Sequence, residues 1–262
     1  MKKLIEGLRK FQTGYFETHR ELFEELSHGQ HPRILFITCS DSRIDPNLIT
    51  QVEVGQLFVI RNAGNIVPPY GAANGGEGAA LEYAIEGLNI QEIIVCGHSH
   101  CGAMKGLLKV SELEEKMPLV HQWLKHAEPT RRLVKENYKD IEGEELLDIT
   151  SAENVLAQLS NLQTYPSVRS RLHQGRLAIH GWLYEIETGT VVAYDPVTHQ
   201  FTAPQSILNQ VEHQYNLHAS CPLKHQYNFM AYKNEEKPQP KVEDSYAHLT
   251  AEQTDRIYRG SY

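Results

Sequence analysis

Two short stretches hold the residues best suited to chemistry: Cys39-Ser40-Asp41-Ser42-Arg43 and Gly97-His98-Ser99-His100-Cys101-Gly102. Thiolate sulfur and imidazole nitrogen are preferred ligands of zinc, and two Cys plus one His leave an exchangeable fourth position, as in a catalytic site. His98 and Cys101, three apart, can be aimed by one turn at a single ion, with Cys39 as the third ligand from a distant segment. Two thiolates neutralise the formal charge of Zn²⁺, yet a water there could still be ionised. Asp41 can either bind the metal or pair with Arg43, whose guanidinium fork fixes a carboxylate in bidentate geometry. Held by Arg43, Asp41 could accept a hydrogen bond from metal-bound hydroxide and orient it.

Each of these residues also has a plainer reading. Free Cys is among the most buried residue types, so Cys39 or Cys101 alone would read as a core thiol. An Asp41–Arg43 pair alone would be an ordinary surface ion pair, worth under about 1 kcal/mol. It is their combination with His98 that favours a metal. Cys96 sits mid-strand and reads as core, His100 as a residue pointing away, and Cys221 as an incidental thiol. Gly97 and Gly102 are expected to allow tight backbone near the metal. His121, His126, His173 and His180 are dispersed and read as structural or surface residues. Tyr83 lies on a helical apolar face and is core by default.

The elements around these stretches suit an α/β fold. Arg33–Thr38, Leu57–Ile60 and Glu92–Cys96 are continuous apolar runs, the pattern of parallel strands buried on both faces. Residues 75–88 between the second and third carry helical spacing, giving strand, helix, strand. Both chemical stretches directly follow a strand, where open α/β sheets gather their ligands. Further helices are expected over 102–110, over 118–138 as one long element, over 151–162 with Ser151 as N-cap, and near 168–173. Residues 177–186 and 190–194, joined by Glu187-Thr188-Gly189, read as a hairpin. Residues 1–27 form an amphipathic helical arm, interrupted near Gly14, with more apolar surface than one small sheet needs. The expected fold is thus a mainly parallel sheet, about four parallel strands plus an antiparallel edge strand, flanked by helices.

The 262 residues divide into a folded domain, 1–203, and a polar extension, 204–262, with a Pro-rich linker at 237–241 and one short helix near its end. The net charge of −8 argues against nucleic acid binding, which needs a basic surface. No apolar run approaches membrane-spanning length, and the start lacks a signal-peptide core. Four cysteines in such a chain are no disulfide scaffold.

Cys39-x-Asp41-x-Arg43 followed by His98-x-x-Cys101 resembles the β-class carbonic anhydrase signature. Gln30, Phe58-Val59-Ile60-Arg61-Asn62-Ala63-Gly64-Asn65 and Glu82-Tyr83-Ala84 extend the likeness over roughly residues 1–200. It points to the plant-like branch and to the cyanobacterial enzymes of carboxysomes. The resemblance implies zinc-dependent reversible hydration of CO2 to bicarbonate and a proton through zinc-bound hydroxide. It implies one Zn²⁺ per chain on Cys39, His98 and Cys101, with Asp41 and Arg43 as catalytic dyad. Asp41 is the alternative fourth ligand in closed members of the family. Gln30, Phe58 and Tyr83 would line the substrate pocket, partly from a second subunit. A homo-oligomer built from dimers, a carboxysomal location and recruitment of a scaffold or shell protein through the extension follow from the same likeness. The alternative from another class is a zinc-stapled structural or scaffold-binding module without turnover.

Overall fold

The computed structural model describes residues 1–72 and 75–204. The extension, with its expected linker and helix and Cys221, lies outside the described residues. The chain opens with three short helices, α1 (Lys2–Lys10), α2 (Phe16–Thr18) and α3 (Arg20–Ser27), the first two linked by a π-helical turn, Phe11–Tyr15. The interruption expected near Gly14 is this wider turn. None of the arm's helical residues is buried, and Leu4 and Leu8 are 68% and 62% exposed. Within one chain, then, the apolar face of α1 is exposed, while Leu22, Phe23 and Leu26 of α3 are half-buried.

Next come β1 (Ile34–Cys39), α4 (Pro46–Thr50), β2 (Leu57–Asn62), α5 (Gly76–Glu82), β3 (Glu92–His98), α6 (Gly102–Leu108), α7 (Pro118–Leu124), α8 (Glu128–Asn137), α9 (Gly143–Leu162), α10 (Pro166–His173), β4 (Ala178–Glu185), β5 (Thr190–Asp195) and β6 (Gln200–Thr202). The sheet order is β2-β1-β3-β4-β5-β6. β2, β1, β3 and β4 are parallel, and β5 and β6 are antiparallel additions. The expected single antiparallel edge is therefore two strands. β6 has only three residues, too few to show a period in sequence.

Side chains alternate across the pleat. Leu35, Ile37, Ile93, Val95 and Ile179 face a core closed by α5, α9 and α10, while Phe36, Ile94 and Cys96 face one closed by α6 and α7. α9 presses closely on the sheet. A Cβ on Gly97 or Gly181 would come within 2.9 or 2.8 Å of the Val155 methyl groups. Gly97 is thus required by helix packing, whereas a Cβ on Gly102 would meet nothing within 4 Å, so no tight approach demands it.

Two helix expectations change. The 118–138 helix is broken by a 3-10 turn at Lys125–Ala127, because Pro129 in the first turn of α8 cannot continue the preceding hydrogen-bond ladder. The 151–162 helix begins eight residues earlier, at Gly143 with φ +69°, with Glu144 and Glu145 favouring its positive end. Ser151 is buried mid-helix and donates to the Leu147 carbonyl at 3.1 Å rather than capping. Among the described residues no helix is long and apolar enough to cross a membrane.

Candidate metal centre and active site

Cys39 ends β1 and His98 ends β3, its hydrogen-bonded neighbour, so both reach the same edge of the sheet. Cys101 follows after one turn, just before α6. Their ligand atoms lie within 4.8 Å of one another, with Cys39 Sγ 4.0 Å from Cys101 Sγ. All three are buried. This is the single group of its kind among the described residues, and it excludes His121, His126, His173 and His180.

The chemistry of the trio suits a thiophilic divalent metal. His98 Nδ1 lies 2.8 Å from the Ser99 carbonyl, which can only accept, so the ring proton sits on Nδ1. Nε2 is left buried with its lone pair and no hydrogen-bond partner, a costly arrangement unless a cation takes it. The Cys39 thiol is held well below its usual range, first by its hydrogen bond with Cys101, then by the Gly64 and Asp41 backbone. Cys101 is pushed upward by its hydrogen bond with Cys39, then by burial and the Cys39 charge. The pair therefore holds one thiolate readily, and a divalent cation would favour the second. Cys96, two residues before His98 in β3, packs in the apolar cluster beneath α6 and α7 and is not one of the trio. Burial alone raises its thiol, as expected of a core residue.

Asp41 lies beside the trio. Arg43 Nε donates to its Oδ1 at 2.9 Å, Nη2 to its Oδ2 at 2.7 Å, and the Arg43 N–H to Oδ1 at 3.0 Å. These bonds hold the Asp41 carboxyl far below the usual range, so it is ionised. Oδ2 is also 4.0 Å from His98 Nε2. The carboxylate is thus gripped by Arg43 while facing the position where a metal would sit.

Arg61 and Gly64, quoted from sequence only as part of the likeness, and Asn154 frame the site, and His100 points away as expected. Arg61 donates to the carbonyls of Cys39, Asp41 and Ile44 at 3.0, 2.7 and 2.9 Å, fastening the segment that carries the dyad. Gly64 N–H donates to Cys39 Sγ at 3.4 Å, and Asn154 on α9 donates to the Gly64 carbonyl at 2.9 Å. Gly64 needs its freedom, since it sits at φ +83° and a Cβ would meet Met104 at 2.8 Å. His100 adopts φ +52° and turns its ring away from the trio, toward Glu144 Oε2 at 2.7 Å and Glu187. Its carbonyl accepts from Arg43 Nη2 at 3.1 Å. Arg61 was detectable as a polar residue near the end of a strand adjoining the site; Asn154 had no local signal.

Gln30, Phe58 and Tyr83 stand elsewhere. Gln30 is exposed in the segment before β1. Phe58 pairs with Leu35, so along the strand it is about 13 Å short of Cys39 at ~3.3 Å per residue. The rings of Phe58 and Tyr83 meet at 6.0 Å, and Tyr83 is 51% exposed. A single chain does not bring these three to its own trio.

With the geometry established, comparisons locate the chain among known proteins. A carbonic anhydrase family model matches residues 34–191. A carbonic anhydrase of Synechocystis sp. is 61% identical across the whole of both chains. A solved structure of the β-carbonic anhydrase CcaA matches with TM-score 0.77 and 70% identity, covering 78% of this chain and 99% of that one. One of two tetrameric β-carbonic anhydrases from Sordaria macrospora matches with TM-score 0.65 and 28% identity, over 73% of this chain and 95% of that one. The fold, the buried Cys39–His98–Cys101 trio and these likenesses agree, and the chain belongs to the β-class carbonic anhydrases.

Proposed function

We propose that the chain hydrates CO2 reversibly at a zinc ion held by Cys39, His98 and Cys101. The observation that carries this reading is the unpartnered His98 Nε2 buried between two thiols, beside a carboxylate that Arg43 holds in place. When bound, zinc supplies the Lewis acidity that makes water nucleophilic near neutral pH. Asp41 accepts a hydrogen bond from the reacting water and orients it, and Arg43 keeps Asp41 ionised and aimed. Arg43 commits both Asp41 oxygens, which favours turnover over the alternative of a closed structural site with Asp41 as fourth ligand.

Gln30, Phe58 and Tyr83 act on the trio of a second copy. Gln30 donates to bicarbonate, and the two rings supply the apolar wall that an uncharged, linear substrate needs. The uncovered apolar face of α1 supports this assembly, and dimers joining further agree with the tetrameric relatives.

Residues 1–203 form the catalytic unit. The extension, 204–262, recruits the enzyme to a carboxysome scaffold or shell protein, a reading supported by the resemblance to carboxysomal enzymes. Removing it should leave turnover intact and abolish scaffold capture; undiminished capture contradicts the assignment. Stopped-flow CO2 hydration on reduced protein at mildly alkaline pH, alongside zinc analysis, tests the reaction. Zinc near one per chain without turnover would favour the structural module.

A further inference from the structure

Apart from the metal centre, the surface between α6, α8 and the start of α9 folds into a pocket of about 670 Å³. Its volume is typical of small-molecule sites. Lys105 and Lys109 line one side, and Lys135 and Lys139 line the other. None of the four is in an ion pair among the described residues, although the chain carries a net charge of −8. The two acidic groups lining the pocket are Glu142 and Glu144, so the local balance is cationic. Glu144 is moreover engaged by His100 Nδ1. Beneath the lysines the lining is aliphatic, with Val134 and Leu147 buried.

This arrangement selects among ligands. Lysines on opposing sides, two on each, are best neutralised by a molecule with charge at both ends. A monovalent ion such as bicarbonate could meet only one side. The aliphatic lining suits a carbon body between the charges. Lysine binds phosphate and carboxylate alike, as a point charge.

A link also runs from the pocket to the dyad. Glu144 lines the pocket and holds the His100 ring; the His100 carbonyl holds Arg43; Arg43 holds Asp41. An anion among the lysines meets Glu144 as a like charge and weakens its grip on His100. We propose that this pocket is a second ligand site, for a compact organic anion carrying two or more negative charges, and that Glu144 couples its occupancy to the Asp41–Arg43 pair. The coupling rests on the catalytic role proposed for that pair, whereas binding does not.

The test is calorimetric titration of the zinc-loaded, full-length enzyme with fructose 1,6-bisphosphate and with tricarballylate, which separate a phosphate ester from a polycarboxylate. At least one probe should bind at one per chain, more weakly as salt rises. The K109E/K135E double variant should bind about tenfold or more weakly with basal CO2 hydration unchanged. Absence of binding by both probes, or equal affinity in the variant, overturns the site. The bound probe should change the hydration rate of the wild type, and E144Q should bind it but lose that response. No rate response in the wild type, or an undiminished one in E144Q, overturns the coupling. A normal isotherm on a protein with no hydration activity would refute the active-site reading instead and leave the pocket standing.

Discussion

Where β1 and β3 end, Cys39, His98 and Cys101 converge within one chain; where β1 and β2 begin, Phe58 meets a Tyr83 that is half open to solvent. The first region is closed by its own chain. α9 reaches across to Gly64, Arg61 staples the dyad segment, and all three ligands are buried. The second has aromatic surface with no substrate site beside it in the same chain. On the function proposed above, the metal belongs to one subunit and the substrate wall is offered to another. The difference follows from chemistry. A metal site demands fixed ligands in a rigid frame, whereas an apolar wall for CO2 needs only a surface that assembly can bring near.

Substitutions can break this comparison, beginning with the largest effect. Cys39→Ala should lose metal and hydration together, a fall of at least about a thousandfold on the scale of removing a catalytic group. Metal analysis and stopped-flow rates check it, and zinc retained at one per chain would refute the ligand assignment. Tyr83→Ala should keep its metal and lose about tenfold in kcat/KM, the scale of a lost apolar contact. Mixing Cys39→Ala and Tyr83→Ala chains sharpens the point. Hybrids pair an intact trio with an intact partner wall, so activity should rise above either variant alone. No rise on mixing would place Tyr83's action in its own chain.

Asn154→Ala tests the frame around the trio. It removes the bond to Gly64, whose N–H supports Cys39 Sγ. The expected effect is a loss of about 1–3 kcal/mol in stability for the buried carbonyl left unpaired, read by chemical denaturation. Metal affinity should weaken alongside it. Unchanged metal affinity would show that Gly64 holds its place without α9.

The last expected effect is on pH. Burial, reinforced by Glu144, Glu187 and Glu185 and opposed by His100, pushes the Asp148 carboxyl up to about 6. An acid whose folded value is raised keeps its proton in the native state after the unfolded chain has released it. Stability therefore falls as pH rises between about 4 and 6, by at most about 1.4 kcal/mol per pH unit, and is level above that window. Asp148→Asn should remove this slope. A denaturation series showing the same slope in the variant would assign it to another group.

Much of this was legible in the sequence because its signals are local. The Cys39–Arg43 and His98–Cys101 stretches each span five residues or fewer, and strand-end topology brings them together. Cys96 was readable as core because it lies inside a continuous apolar run. What could not be read depends on contacts far apart in the chain. The Asn154–Gly64 bond joins residues 90 positions apart, and no local pattern marks Asn154. The start of α9 was missed because hydrophobic spacing locates a helix body better than its first turn, where Glu144 and Glu145 act through charge. The offset of Gln30, Phe58 and Tyr83 from the trio needed the strand register, which places Phe58 against Leu35.

The most direct test of the central claim is zinc content and CO2 hydration measured together on Asp41→Ala. Zinc should stay near one per chain, because the Cys39–His98–Cys101 trio holds it, with turnover reduced by about a hundredfold or more. Loss of zinc, or turnover at the wild-type rate, would contradict that claim.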